Sequence, residues 1–299
     1  MKLIKPYFEI LEQKPRNIII PSDMEIGPKM ARQELIDTVY RQIEIAGRTC
    51  YKSEDKITQD SAKKFVERMV KSGHGAMLEH GTVYLFLTMS SRQQYFKYCS
   101  NPYSVANSTG EAEKGTWNGF VTTNYRVLVE NGWLDDLEYI CEPTEYHEKR
   151  ICVRYTSDIH FYKDCTRHRV FSWAIESTRF CNYIKQKFGS SVTFATPIWL
   201  KEEEQEEFEE DLKTIESIYF KWINKGGQPQ QAAYFLIRVT KAEIIMTGFA
   251  SDYNHFFDLR SEIAKTGKPH PTVVELVEPL RQEFIKRGYI NDGVREENL

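Results

Sequence analysis

Apolar positions recur at helical spacing from Met30 to Arg48, where Leu35, Val39, Ile43 and Ala46 form one stripe and Gly47 closes the pattern. After a polar turn, Arg48 to Ser53, a second amphipathic helix is predicted, with Ala62, Phe65, Val66, Met69 and Val70 on its buried side and Gly73 at its end. Val83-Tyr84-Leu85-Phe86-Leu87 is branched and aromatic and reads as a buried strand. Residues 90 to 120 are rich in Ser, Asn, Gly and Tyr and predict an irregular excursion. Short helices are expected over Asn124 to Asn131 and Trp133 to Cys141, then a strand through Ile151, Val153 and Tyr155.

The second half of the chain is patterned more strongly. Thr193 to Pro197 reads as extended, and Lys201 to Asn224 as a long helix burying Phe208, Leu212, Ile215, Ile218, Tyr219 and Trp222. Its acidic start, Glu202 to Asp211, suits the positive end of a helix dipole. Gly226-Gly227 stops that helix, and Gln228-Pro229-Gln230 starts another through Phe235. Ile244-Ile245-Met246 fits either a strand or a buried helix, because periodicity does not separate the two at this length. Asp252 to Arg260 and Val273 to Arg287 complete the set, the latter burying Val277, Leu280 and Phe284. Before Met30, apolar groups broken by Pro6, Pro15, Pro21 and Pro28 predict a strand or two with turns. The pattern as a whole predicts a mixed α and β chain with no internal repeat or low-complexity linker to divide its 299 residues, so a single domain is expected.

Composition narrows the classes. With 41% hydrophobic and 28% charged residues the chain is expected to be a soluble globular protein. Forty Lys and Arg against 43 Asp and Glu give no general basic field, which argues against a nucleic-acid-binding module. Six dispersed cysteines, Cys50, Cys99, Cys141, Cys152, Cys165 and Cys181, predict reduced thiols. Charge and proline at Lys2, Lys5 and Pro6, and the lack of a long apolar run, predict a cytoplasmic protein without membrane association.

Charge is concentrated in one place. From Lys163 to Lys187 six cations, Lys163, Arg167, Arg169, Arg179, Lys185 and Lys187, face two acids, Asp164 and Glu176, in a chain whose net charge is -3. Phe171, Trp173, Phe180 and Tyr183 are interleaved with them. An arginine beside an aromatic ring ordinarily covers core with its stem and keeps its tip wet. Arg167-His168-Arg169, seven residues, then Ser177-x-Arg179 fixes five polar side chains at once, and forks beside apolar surface bind phosphate or carboxylate in a bidentate manner. A phosphorylated ligand with an aromatic ring suits that mixture.

The same residues carry a resemblance. Arg167, His168, Arg169, Ser177 and Arg179, followed by Phe180-Cys181-Asn182-Tyr183, resemble the signature of the flavin-dependent thymidylate synthases. Gly73-His74-Gly75, with Glu79-His80 and the following strand, is similar to the family's flavin-side element; Arg48-Thr49-Cys50-Tyr51 resembles its early turn. Asn254-His255-Phe256-Phe257-Asp258-Leu259-Arg260 resembles the segment that supplies an arginine to the pyrimidine, and His270-Pro271 an Ala-His-Pro that follows it. The resemblance implies an α/β (α+β) fold of the thymidylate synthase-complementing kind, a mixed sheet with long helices, and a homotetramer whose active sites are shared between subunits. It implies reductive methylation of dUMP to dTMP, with methylenetetrahydrofolate as carbon donor, FAD as carrier and NADPH as reductant. It assigns catalysis to Arg260. Asp164, Arg167, Glu176, Ser177, Thr178, Arg179 and Arg260 are expected at dUMP, and His74, Arg167, His168, Arg169 and His255 at the flavin, with cationic donors favouring its reduced anion. Glu79 and His80 are expected to be structural, and no metal is expected.

The chain departs from the family's pattern at four positions. Ala233 stands where a helix arginine usually binds the nucleotide, with Arg238 nearby as a substitute; Phe249 replaces an asparagine near the flavin. Asp164 replaces Gln or Glu, and Ile175 occupies a usually polar position. Ala233 and Phe249 support an alternative, a flavin- and nucleotide-binding paralogue without synthase activity. A metalloenzyme using His160, Cys165, His168 and Cys181 is the weakest reading, since the spacing fits no zinc motif.

Overall fold

A computed structural model describes residues 1–15, 28–179 and 181–291 of the chain. Pro21 and Phe180, used above, lie outside the described residues. In chain order the strands and helices are β1 (Lys2–Ile4), β2 (Tyr7–Leu11), α1 (Pro28–Tyr51), α2 (Ser61–Lys71), α3 (Gly75–Leu78), β3 (Thr82–Thr88), α4 (Arg92–Cys99), β4 (Val105–Thr109), β5 (Asn118–Asn124) and α5 (Tyr125–Asn131). They continue with β6 (Arg150–Asp158), α6 (Ile159–Cys165), β7 (Ser172–Ile175), β8 (Thr193–Ala195), α7 (Gln205–Asn224), α8 (Pro229–Ala232), β9 (Lys241–Phe249), α9 (Ala250–Arg260) and α10 (Pro271–Lys286). The fold class is therefore mixed α and β, as the pattern predicts.

Contacts divide the chain into two compact units, Met1–Ile10 with Cys50–Lys52 and Val153–Leu299, and Leu11–Thr49 with Ser53–Cys152. The second of these is built on the antiparallel sheet β3-β5-β4. Val83, Leu85 and Leu87 alternate inward from β3, and Val39, Ile43, Phe65, Val66 and Met69 of α1 and α2 belong to the same unit's core. Residues 90 to 120, expected to be irregular, hold α4, β4 and the start of β5. β5 is buried from Gly119 to Asn124 as the central strand, so it lacks the alternation that marks a half-exposed strand. Gly47 does not stop its helix: α1 runs on to Tyr51, and a Cβ at Gly47 would meet Cζ of Phe65 at 2.4 Å. The glycine serves close packing. Val70, expected on the buried side of α2, is exposed.

The other unit carries the charged motif. Its four-stranded sheet has the order β2-β6-β9-β7, with β7 antiparallel to β9, Ser172 opposite Thr247 and Ile175 opposite Ile244. β1 and β8 pair in parallel. The ambiguous segment at Ile244 is a strand, and a central one, which is why its apolar residues run consecutively. Among the described residues, apolar side chains pack in two places in this unit. Tyr183, Val192, Phe194, Leu212 and Tyr219 pack together beneath the chain that follows the motif. Phe171, Tyr253, Phe256, Phe257 and Phe284 form an aromatic block, with Phe171–Tyr253 ring centroids 4.7 Å apart and Tyr253–Phe284 4.6 Å apart. Trp222, expected to be buried, is exposed and stacks on Phe235 at 5.2 Å.

Candidate active site

β6 ends at Asp158, whose carboxylate caps α6 by accepting from Phe161 N at 2.7 Å. The seven-residue helix stops at Cys165. Two turns follow, His168 N to Cys165 O and Phe171 N to His168 O, before the chain enters β7. In this short bend Arg167, Arg169 and Val170 are exposed and His168 is buried, which separates the three members of Arg-His-Arg.

The His168 ring packs edge-on against Phe256 at 5.0 Å and lies 6.0 Å from that of His255. Its Nε2 accepts from Arg260 Nε at 3.2 Å, and Arg260 Nη2 donates to the carbonyl of Asp164 at 3.1 Å. Burial, then the charges of Arg260 and His255, push the His168 imidazole down to about 4. His168 is therefore neutral near pH 7, so of the Arg-His-Arg donors expected at the flavin it is not a cationic one. Arg260 is held in place by those two bonds, and its Nη1 has no hydrogen-bond partner among the described residues. The fork is thus docked on two nitrogens and open on the third.

Beyond β7 the chain turns sharply. Glu176 N donates to Glu243 O at 2.7 Å and Ser177 N to Cys50 O at 3.0 Å, while Cys181 N closes back on Ser177 O. The Glu176 carboxylate, expected at the ligand, is buried and turned inward: Oε2 accepts from Lys241 Nζ at 2.8 Å and from Glu243 N at 3.0 Å. Ser177 and Thr178 are half-buried and Arg179 is exposed, its Nε donating to Gln230 Oε1 at the start of α8. Arg179 and the N-terminal turn of α8 therefore stand together.

The four departures also find places. Arg238 lies against His160, with Nη1 3.5 Å from Nδ1, and His160 Nε2 is 3.8 Å from Asp164 Oδ2. Ala233 lies in the turn after α8, Phe249 is the residue before α9, and Ile175 is half-buried in β7. His270 caps α10, accepting from Thr272 N. His74 belongs to the other unit, exposed at the start of α3. There Glu79 pairs with Arg126 and His80 is buried. Among the described residues no three His, Cys, Asp or Glu side chains gather as a metal-binding group, and Cys165 and Cys181 are buried cysteines outside any disulfide.

Residues 143–271 match the family described as thymidylate synthase complementing protein, Thy1. The match covers less than half of the chain, and over that segment the chain is similar to the family. The segment contains every site residue predicted from the sequence except His74, and both halves of the Arg260–His168 pair. Two solved structures of a UMP/dUMP methylase PolB from Streptomyces cacaoi are similar to the chain. One, bound with 5-Br dUMP, shares 13% identity over 96% of this chain and 93% of that one, with a TM-score of 0.41. The other, bound with 5-Br UMP, shares 12% identity over 96% and 92%, with a TM-score of 0.43. No curated protein matches the sequence.

The sequence reading missed the charged groups that pair behind the motif, Lys52, Lys241 and Glu243. A signal for two of them was present: Lys241-Ala242-Glu243 places a cation and an acid on one face of a strand, two residues apart.

Proposed function

We propose that the chain is a thymidylate synthase that methylates the pyrimidine of dUMP at C5. The observation that carries this reading is the docking of Arg260 on His168 within the Thy1 segment: a guanidinium fixed on two nitrogens keeps the third to meet charge on a planar ring. Exposed Arg179, beside Ser177 and Thr178, holds the phosphate through charge-assisted hydrogen bonds. Asp164 offers its side chain near the same arginine, its carbonyl being already bonded.

The donor set fits a flavin dinucleotide. Arg167 and Arg169 present two exposed guanidiniums to an anionic diphosphate, and His255 adds an exposed imidazole next to His168. His74 is proposed as a further flavin contact. Bound FAD would supply the reducing equivalents that side chains lack, taken from NADPH, with methylenetetrahydrofolate giving the carbon. The sum is dUMP, methylenetetrahydrofolate, NADPH and a proton giving dTMP, tetrahydrofolate and NADP+. We further propose that the active protein is a homotetramer with sites shared between subunits, and that it works in the cytoplasm.

The test is the visible spectrum of the protein with FAD, reduced without oxygen and mixed with dUMP and methylenetetrahydrofolate. Flavin reoxidation with dTMP formed supports the synthase. Bound flavin with no dTMP selects the paralogue without synthase activity, the reading favoured by an alanine at 233 and by Arg238 lying against His160. No flavin binding removes both.

A further inference from the structure

Behind the Ser177–Arg179 turn lies a buried network of charge built on Glu176, Lys241, Glu243 and Lys52. Lys241 Nζ donates to Glu176 and to Glu243, and Lys52 Nζ donates to Glu243 at 2.9 Å. The side chains of Glu176, Lys52, Lys241 and Glu243 are 1%, 13%, 15% and 17% exposed, so the ions are poorly screened by water. Two ammoniums thus balance two carboxylates. Burial pushes the Glu243 carboxyl up, but Lys241 and Lys52 outweigh it and hold it down at about 2.

The same place is tied by backbone. The tripeptide Cys50–Lys52 belongs to the unit that carries the motif, although 100 residues of chain separate it from Val153. Cys50 O accepts from Ser177 N at 3.0 Å, its thiol faces the backbone of Ile175, and Lys52 sits at φ 46°, a left-handed conformation unusual outside glycine. Strain of this kind persists where the surroundings enforce it. Here the Lys52 ammonium is anchored on Glu243, and Glu243 O receives the amide of Glu176.

We propose that Lys241 and Lys52 are positioning residues of the nucleotide site: together they hold the Glu176 and Glu243 carboxylates, and through them the conformation of Ser177, Thr178 and Arg179 that receives the phosphate. The proposal rests on the synthase reading for its ligand but not for its geometry. Removing one ammonium leaves two buried carboxylates with a single counter-ion between them, which costs more than the lost pair contributes, so the turn gives way. Neutralising one carboxylate at the same time removes the cause. An effect of charge is thereby separable from one of packing.

The experiment compares the wild type, Lys241→Met, Lys241→Arg, Lys52→Met and the double variant Lys241→Met with Glu176→Gln. Two readouts are taken: calorimetric titration with dUMP, and amide hydrogen exchange of the peptide spanning residues 172–183. The expected result is a dUMP Kd raised at least about tenfold in Lys241→Met and Lys52→Met. Faster exchange confined to that peptide should accompany it, with recovery in Lys241→Arg and partial recovery in the double variant. Folded variants that bind dUMP as tightly as the wild type, with unchanged exchange at 172–183, overturn the proposal. So does a double variant no better than Lys241→Met. If the wild type itself binds no dUMP the synthase reading falls, and the exchange readout still decides whether the lysines hold the turn. If Lys241→Met does not fold, Lys52→Met, which removes the ammonium paired with Glu243 and leaves the Lys241–Glu176 pair in place, decides alone.

Discussion

Arg260 Nε donates to His168 Nε2 at 3.2 Å, joining residues 92 positions apart in the chain. An arginine has only donors to offer, so the accepting nitrogen must be unprotonated and the proton of the neutral imidazole sits on Nδ1. The bond therefore fixes a tautomer. It also aims the guanidinium, since a second nitrogen is held by the Asp164 carbonyl. What sequence presents as two separate basic residues is one neutral acceptor and one oriented cation.

Arg260→Ala removes the oriented charge and is expected to slow dUMP-dependent oxidation of reduced flavin by about 10²- to 10³-fold at saturating nucleotide. Stopped-flow absorbance reads this directly. An unchanged rate would take Arg260 off the catalytic list.

Arg179→Ala is expected to weaken dUMP about 10- to 100-fold, the scale of one charge-assisted hydrogen bond, while FAD stays bound. Titration calorimetry with each ligand separates the two. Equal loss of both in a folded variant would contradict the division of roles between Arg179 and the Arg167–Arg169 bend.

The His168 imidazole carries a pH signature. Its value is about 4 in the fold against an ordinary 6.5, so between those limits the unfolded chain binds the extra proton. Stability from this group is complete above pH 6.5 and is lost as pH falls toward 4. Denaturant titrations of the wild type and His168→Gln should show the wild type losing more stability across that window. Parallel curves would mean that His168 is protonated in the fold.

Gly248→Ala tests the aromatic block behind the site. A Cβ there would meet Cδ1 of Phe171 at 2.3 Å, so the ring must move, and Phe171 packs on Phe256, which packs on His168. Overpacking of this kind costs about 1–3 kcal/mol. The variant should melt earlier and titrate His168 at a higher pH by proton resonance. A melting point equal to the wild type would show that the ring has room.

Much of this was legible in the pattern of residues. Helices with one apolar stripe, such as α2 and α10, and strands with alternation, such as β3, announce themselves because burial on one face leaves a period. β5 did not, since a strand buried on both faces has no period to read, and Gly47 misled because a glycine that ends a helix and one that admits a neighbouring ring look alike in sequence. The motif was legible too, yet not the different fates of its members. Glu176 and His168 turn inward while Arg167, Arg169 and Arg179 stay at the surface.

By itself the sequence determined the class of the fold and the position of the charged stretch, because these depend on local periodicity and on which functional groups stand close along the chain. Only the tertiary structure decided which of those groups carry charge and which are free to meet a ligand. A pKa is set by burial and by partners far away in sequence, as Arg260 is for His168, and a hydrogen-bonding position is opened or filled in the same way, as Lys241 fills that of Glu176.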